Sequence, residues 1–499
     1  MTGVTIVDGE TFQSVDPASG EPVGTFPVHS EADVQAAVAR ARPAAAWWAG
    51  LGFAGRADRL VAWRAALAGR AAELAELIHR EGGKPVDDAM IELATAIEHL
   101  HWAPRNAERV LGARRVRPGL LVANLAATLE YQPYGVVGVI GPWNYPVFTP
   151  LGSIVYALAA GNAVVFKPSE YTPAVGRWLA DSFAAVVPEQ PVFGLVTGAG
   201  PTGAALCRSG VDKLAFTGST ATAKKVMAAC AETLTPVLLE CGGKDAMIVA
   251  ADADVRAAAD AAAWGGMANA GQTCIGIERV YAVESVYDEF VAALADRART
   301  LRPGTAYGPA TMPAQLDVIR RHVTDALARG GRAVVGGAGS VRPPYAYPTV
   351  LVDVPEDAAA VRDETFGPTL TVTRVADVDE AVEKANASRY GLGAAVFART
   401  GGEAIARRIR SGMTSVNSVL SYAGVGALPF GGVGDSGFGR IHGDDRLREF
   451  ARAKAITRPR FPAPLDVTRF DRKPWSIRAL TLVVRVAYGR APRARRGQP

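Results

Sequence analysis

Apolar residues between 31 and 110 recur at helical spacing, as in Glu31-Ala-Asp-Val-Gln-Ala-Ala-Val-Ala-Arg, and predict a run of amphipathic helices. The pattern changes at 133. Tyr134-Gly-Val-Val-Gly-Val-Ile-Gly-Pro is a continuous apolar run of the kind that forms a buried strand. Helical spacing returns over 151–160, and a β-rich run occupies 163–167. The alternation continues with a helix over 173–186, a strand over 191–196, a short helix over 202–209, a strand over 213–216 and a helix over 221–231. Apolar runs at 236–240 and 246–249 close the stretch. Short strands alternating with helices predict a parallel, doubly wound sheet.

A second alternating region spans 254–430, with β-rich runs at 279–283, 332–335 and 370–375, and predicts a second α/β domain. No internal repeat at solenoid periods is present. At 499 residues the chain is long enough for about three domains or lobes. Its composition, 49% hydrophobic and 21% charged, suits a globular chain with a large core.

The net charge of +5 is unevenly placed. Nine Arg/Lys and two Asp leave residues 461–499 at +7, so the preceding 460 residues sum to −2. The body therefore gives no reason to expect nucleic-acid binding. The four cysteines form no C-x-x-C pair, and so few in so long a chain fits a reducing cytosol. The six histidines lack metal-ligand spacing, so no metal is expected. The N-terminus does not read as a signal peptide. No apolar run reaches the roughly 18 residues of a membrane span. A cytoplasmic protein is expected.

Cys274 lies in Asn269-Ala-Gly-Gln-Thr-Cys-Ile-Gly276, flanked by glycines and small polar residues. A structural cysteine prefers apolar neighbours. A nucleophilic one needs room for a carbonyl and backbone N–H groups nearby, which this run offers. Glu240 ends the apolar run Leu238-Leu-Glu-Cys-Gly-Gly-Lys244, where partial desolvation would raise its pKa toward general-base range; a surface salt bridge is the plainer alternative. Pro142-Trp143-Asn144-Tyr145-Pro146 is a rigid apolar loop with one amide donor, suited to an oxyanion or equally to capping a helix. Phe216-Thr-Gly218-Ser219-Thr220 can seat a pyrophosphate on a helix start or be an ordinary turn. Lys167 and Glu170 end another strand and could hold ribose hydroxyls or form a solvated loop. Gly198-Ala-Gly-Pro-Thr-Gly203 is also glycine-rich, but Pro201 removes a donor where a phosphate cradle needs one, which favours a structural turn. Glu364-Thr-Phe366-Gly-Pro368 and Leu428-Pro-Phe430-Gly-Gly432 could each be a turn alone.

In this order and at these separations, the runs resemble the aldehyde dehydrogenase superfamily over residues 10–458. Ser436-Gly-Phe-Gly-Arg-Ile-His-Gly443 is similar to the branch with fatty and aromatic aldehyde dehydrogenases. Cys274-Ile-Gly-Ile-Glu-Arg-Val-Tyr281 is similar to bacterial succinate-semialdehyde dehydrogenases. The resemblance implies NAD(P)-dependent, non-acylating oxidation of a small-molecule aldehyde to a carboxylic acid. Cys274 would be the nucleophile, Glu240 the base that activates the hydrolytic water, and the Asn144 amide with the Cys274 N–H the oxyanion hole. Trp143, Lys167, Glu170, Gly218, Ser219, Glu364 and Phe366 would hold the cofactor. Tyr145 and Phe430 would line the aldehyde tunnel. Glu170 faces the expected ribose 2′-hydroxyl and favours NAD, while Lys167 and Ser169 leave NADP open.

The implied fold has a Rossmann-like doubly wound cofactor domain (1–115 and 134–242), a second α/β catalytic domain (243–445) and a small β oligomerisation arm (116–133 and 446–460). A homodimer or homotetramer is implied. Three departures stand out: Ala223 where Gly is common, Cys241 beside the base, and the tail 461–499. Rival functions are a succinate-semialdehyde specialist, which needs an Arg for the distal carboxylate, a CoA-acylating enzyme, and a retired dehydrogenase fold used as a scaffold. Arg279 is the candidate Arg and reads rather as structural. In the tail, Trp475–Tyr488 is mostly apolar, with Arg478 and Arg485 on one helical face and Arg490, Arg493, Arg495 and Arg496 beyond. That pattern suits either peripheral contact with an anionic membrane or packing against protein.

Overall fold

The computed structural model describes residues 5–7, 10–463, 465 and 467–489. The four Arg residues after Tyr488 lie outside the described residues. By its contacts the chain divides into two compact units, one of residues 1–111 with 132–452 and one of 112–131 with 453–499. The expected arm starts at 446, whereas Arg446, Leu447 and Phe450 are buried in the larger unit and the division falls after Arg452.

Helices fill 31–110 as the spacing predicts: Glu31–Gly50, Gly52–Gly69, Ala71–Gly82 and Val86–Leu111. A three-stranded N-terminal sheet of Thr5–Val7, Thr11–Val15 and Pro22–Pro27 precedes them. The larger unit then builds two main sheets. The first runs, edge to edge, Gly437–Phe438, Val237–Glu240, Lys213–Thr217, Val136–Ile140, Ala163–Lys167 and Phe193–Leu195. All pairings are parallel except that of Gly437–Phe438, which sets Gly437 opposite Glu240. Strand order reverses between Val136–Ile140 and Lys213–Thr217. The crevice at their carboxyl ends is where doubly wound sheets bind ligands.

The second sheet runs Arg332–Val335, Thr349–Val352, Thr369–Val375, Ile277–Val283, Asp245–Val249, Ala394–Phe397 and Ser415–Val416, with only the first pair antiparallel. Its central strands are buried along their whole length, which is why they read as unbroken apolar runs. A further three-stranded sheet of Arg114–Val116, Leu125–Pro133 and Ala451–Pro459, with the helix Pro474–Tyr488, accounts for most of the smaller unit's regular structure.

Candidate functional site

Cys274 is the only one of the four cysteines that is not buried. The turn before it takes an uncommon backbone path. Asn269, Ala270 and Gly271 all have positive φ (53°, 57° and 70°), a conformation that costs a residue with Cβ roughly 1–2 kcal/mol. Side chains hold the turn in place. Asn269 Nδ2 donates to the Gln272 carbonyl at 3.2 Å and to the Asn144 carbonyl at 3.1 Å, while Gln272 Nε2 donates to the Asn269 carbonyl at 3.0 Å. Gly271 is required, since a Cβ there would lie 2.2 Å from the Gly367 backbone.

The loop after Ile140 meets this turn from the other sheet. Asn144 Nδ2 donates to the Gln272 carbonyl at 2.9 Å, and the hydroxyls of Tyr145 and Thr273 are 3.0 Å apart. A buried ion pair fixes the loop. Lys84 Nζ donates to Glu92 at 2.6 Å and to the Asn144 carbonyl at 2.7 Å, and lies 3.9 Å from the centre of the Tyr145 ring. The other Glu92 oxygen accepts from the N–H groups of Val147 and Phe148 at 2.8 and 3.0 Å. This distant carboxylate caps the helix Phe148–Ala160, so the helix begins at 148 rather than at 151 as local spacing predicts.

Glu240 is buried, and neither carboxylate oxygen has a hydrogen-bond partner among the described residues. Burial pushes its pKa up to about 8, opposed by the positive charges of Arg446 and Arg440. The salt-bridge alternative is thereby excluded. Arg446 is itself fully buried. Its Nε donates to the Gly152 carbonyl at 3.0 Å, a second nitrogen donates to Ser153 Oγ, and its guanidinium covers the Phe450 ring at 4.1 Å. Burial also pushes the Cys274 thiol up, helped by the carboxylates of Glu364, Asp245 and Glu240 and opposed by the Ile275 N–H.

The crevice at the strand reversal gathers the other named residues. Ser219 caps the helix Thr220–Ala231, accepting from the Thr222 N–H at 3.3 Å. Gly218 donates to the Glu240 carbonyl at 3.0 Å. Lys167 is buried rather than solvated, with Nζ 3.1 Å from the Pro168 carbonyl and 3.5 Å from Glu170. Trp143 and Phe366 meet edge to face at 5.5 Å. Glu364 lies against the Gly242–Gly243 turn and accepts from the Gly243 N–H at 3.0 Å; a Cβ on Gly242 would come within 2.1 Å of it. A buried cation, a capped helix start and facing aromatic rings fit a dinucleotide cofactor. The 198–203 turn is structural: Thr202 Oγ1 donates to the His29 carbonyl at 2.9 Å, tying it to the segment just before the helix Glu31–Gly50. Arg279 is also structural, its guanidinium spent on the Lys244 carbonyl at 2.9 Å and the Tyr281 hydroxyl at 3.1 Å.

A cavity of about 300 Å³ joins Cys274 and Glu240. Tyr145 and Phe430 line it, together with Phe148, Trp264 and Leu420. Lys84, Glu92, Asn269, Gln272 and Arg446 were not singled out from the sequence. Apart from short-range pairs such as Asn269–Gln272 and Lys84–Glu92, their partners lie tens to hundreds of residues away, so local spacing does not reveal their roles.

A family model described as the aldehyde dehydrogenase family matches residues 6–456. A Mycobacterium ulcerans protein named as an NADP(+) succinate-semialdehyde dehydrogenase is 36% identical, covering 92% of this chain and 91% of its own. A Methylomonas protein named 4,4'-diapolycopene aldehyde oxidase is also 36% identical, over 88% of this chain and 84% of its own. A Sinorhizobium meliloti structure described as an NAD-dependent aldehyde dehydrogenase superposes with a TM-score of 0.86 at 34% identity, covering 93% of this chain and 94% of its own. The chain belongs to the aldehyde dehydrogenase family. It is an NAD(P)-dependent oxidoreductase acting on an aldehyde group.

Proposed function

We propose that Cys274 attacks the aldehyde and that Glu240 completes the reaction. The Cys274 thiol gives its proton to solvent and its sulfur adds as thiolate to the carbonyl carbon, while the carbonyl π electrons move to oxygen. Asn144 carries two amide donors. Gln272 takes one, which leaves the other for the oxyanion beside the Cys274 N–H. Bound NAD(P) supplies the hydride acceptor, through which the Cys274 adduct becomes a thioester. Glu240, with no partner for either oxygen among the described residues, takes a proton from water as the water attacks the thioester. The carboxylic acid leaves and Cys274 regains its proton.

The observation that carries this reading is the shared cavity: a partly buried thiol and a desolvated carboxylate with no partner among the described residues open onto one largely apolar space. Trp143, Lys167, Glu170, Gly218, Ser219, Glu364 and Phe366 are assigned to the cofactor, and Glu170 gives NAD a higher kcat/KM than NADP. The test is a single turnover with aldehyde and NAD, acid-quenched and digested. An acyl mass on the Cys274 peptide is expected; an acyl mass on Cys241 instead rejects the assignment.

The 1–115 with 134–242 and 243–445 domains are proposed as cofactor and catalytic halves, working in the cytoplasm. The smaller unit is proposed as the homodimer or homotetramer contact, supported by its exposed Val116, Leu121, Val122 and Ile456. Peripheral membrane contact is assigned to the tail. No described helix is long and apolar enough to cross a membrane. The helix Pro474–Tyr488 does present Trp475, Leu482 and Val486 to solvent beside Arg478 and Arg485.

A further inference from the structure

The cavity over Cys274 is charged unevenly. Lys84 is the only cation among the residues that line it, and its ammonium is fully committed to Glu92, the Asn144 carbonyl and the Tyr145 ring. The lining carboxylates are Asp88, Glu92 and Glu240. Glu92 is paired, but Asp88 and Glu240 have no hydrogen-bond or ion-pair partner among the described residues. Asp88 sits in the first turn of Val86–Leu111. A carboxylate near a helix start suits the helix dipole, yet Asp87 beside it is exposed and could serve that purpose, while Asp88 opens onto the cavity. The rest of the lining is uncharged and mainly apolar, with Thr95, Thr149, Thr217, Asn269, Thr273 and Ser421 among its neutral polar residues. Ile91 and Trp264, 55% and 49% exposed, stand among the lining residues that reach solvent.

Building on the assignment of Cys274 and Glu240, we infer that this site takes uncharged aldehydes with an apolar chain and rejects those with a distal carboxylate, with Asp88 as the excluding charge. A distal carboxylate entering here finds no free cation among the lining residues, loses its water and meets the like charge of Asp88, which discriminates by about a hundredfold or more. An alkyl chain gains about fourfold in kcat/KM per added methylene, the equivalent of ~0.8 kcal/mol, until the cavity is filled. Pockets of this volume accept small organic ligands.

The experiment measures kcat/KM with NAD for butanal, hexanal, octanal and succinate semialdehyde. Wild type is expected to rise along the alkyl series and to prefer octanal over succinate semialdehyde by at least about a hundredfold. Asp88→Lys should shrink that ratio at least about tenfold, chiefly by raising the succinate semialdehyde value. Asp88→Asn, the gentler change for the fold, should shrink it by about threefold or more. A wild-type preference for succinate semialdehyde, or a ratio unmoved in both variants, overturns the inference. If that result comes with a dead Cys274→Ala control, the catalytic assignment stands and only the substrate class falls. If no aldehyde in the panel reduces NAD, the catalytic assignment falls as well.

Discussion

Trp48, Trp63 and Phe290 of the larger unit are fully buried, whereas Leu120, Trp475 and Leu482 of the smaller unit stand 63%, 56% and 61% exposed. The larger unit removes its bulky apolar groups from water and has a core of its own. The smaller unit leaves many of its own facing solvent, at a cost of about 25 cal/mol for each Å² that a partner surface could cover. Catalysis and the proposed association therefore fall to separate units. Cys274, Glu240, Asn144 and the cavity belong to the larger unit, and the unsatisfied apolar surface of the smaller unit calls for a cover.

The sharpest test of that separation is Cys274→Ala. Turnover should vanish, because no neighbour can supply the covalent step, while NAD still binds by calorimetry and Cys241→Ala stays active. Activity retained in Cys274→Ala would place the nucleophile elsewhere. Glu240→Gln should follow, slowing thioester hydrolysis by about 10²–10⁴-fold, with the acyl group accumulating on Cys274 in mass spectra. In wild type the hydrolysis rate should rise with pH through an apparent pKa of about 8.

The same carboxylate affects stability in a definite direction. Its native pKa of about 8 lies above its ordinary value of 4.5 because burial penalises the charge. Between those values the native state holds a proton that the unfolded chain has released, so stability falls as pH rises through that window. Glu240→Gln should therefore raise Tm at pH 8.5 and change it little at pH 4.5. A Tm gain at low pH alone would reverse the argument. A smaller effect is expected of Arg446→Met. Removing the nearby positive charge should move the hydrolysis profile to higher pH, with Arg446→Lys restoring part of it. An unmoved profile would leave Arg446 with packing alone. The smallest effect belongs to deletion of 465–499. Oxidation of a soluble aldehyde should stay within about twofold, and co-sedimentation with anionic vesicles at low salt should be lost. Equal sedimentation of both forms would remove the membrane role.

Much of the larger unit was legible. Parallel strands buried on both faces must be apolar at successive positions, so Ala163–Lys167 matches the sequence reading to the residue; Arg332–Val335 matches as well, though it is a partly exposed antiparallel edge strand. Glu240 was recognisable because it ends such a run. Boundaries set by distant groups were not. Glu92 starts the helix Phe148–Ala160 from 55 residues away, and Arg446 reaches Gly152 across 294. The N-terminal strands also went unread, since Thr11–Val15 alternates only briefly and Pro22–Pro27 is bounded by prolines. Taken alone, the 166–170 motif reads as a solvated loop, because burial of Lys167 depends on how Gly203 packs against its stem.

The short antiparallel strand Gly437–Phe438 has a consequence for how the enzyme is made. It borders the strand that ends in Glu240, yet lies roughly two hundred residues later in the chain. A ribosome adding about 5–20 residues per second exposes the Glu240 strand with one edge open for some 10–40 s. Phe430, Arg440 and Arg446 arrive in the same late segment. The nascent chain can thus hold its nucleophile and most of its cofactor crevice while the wall behind the base is missing. Activity should switch on only when translation has nearly finished, and until then the open strand edge is a natural place for a chaperone to bind.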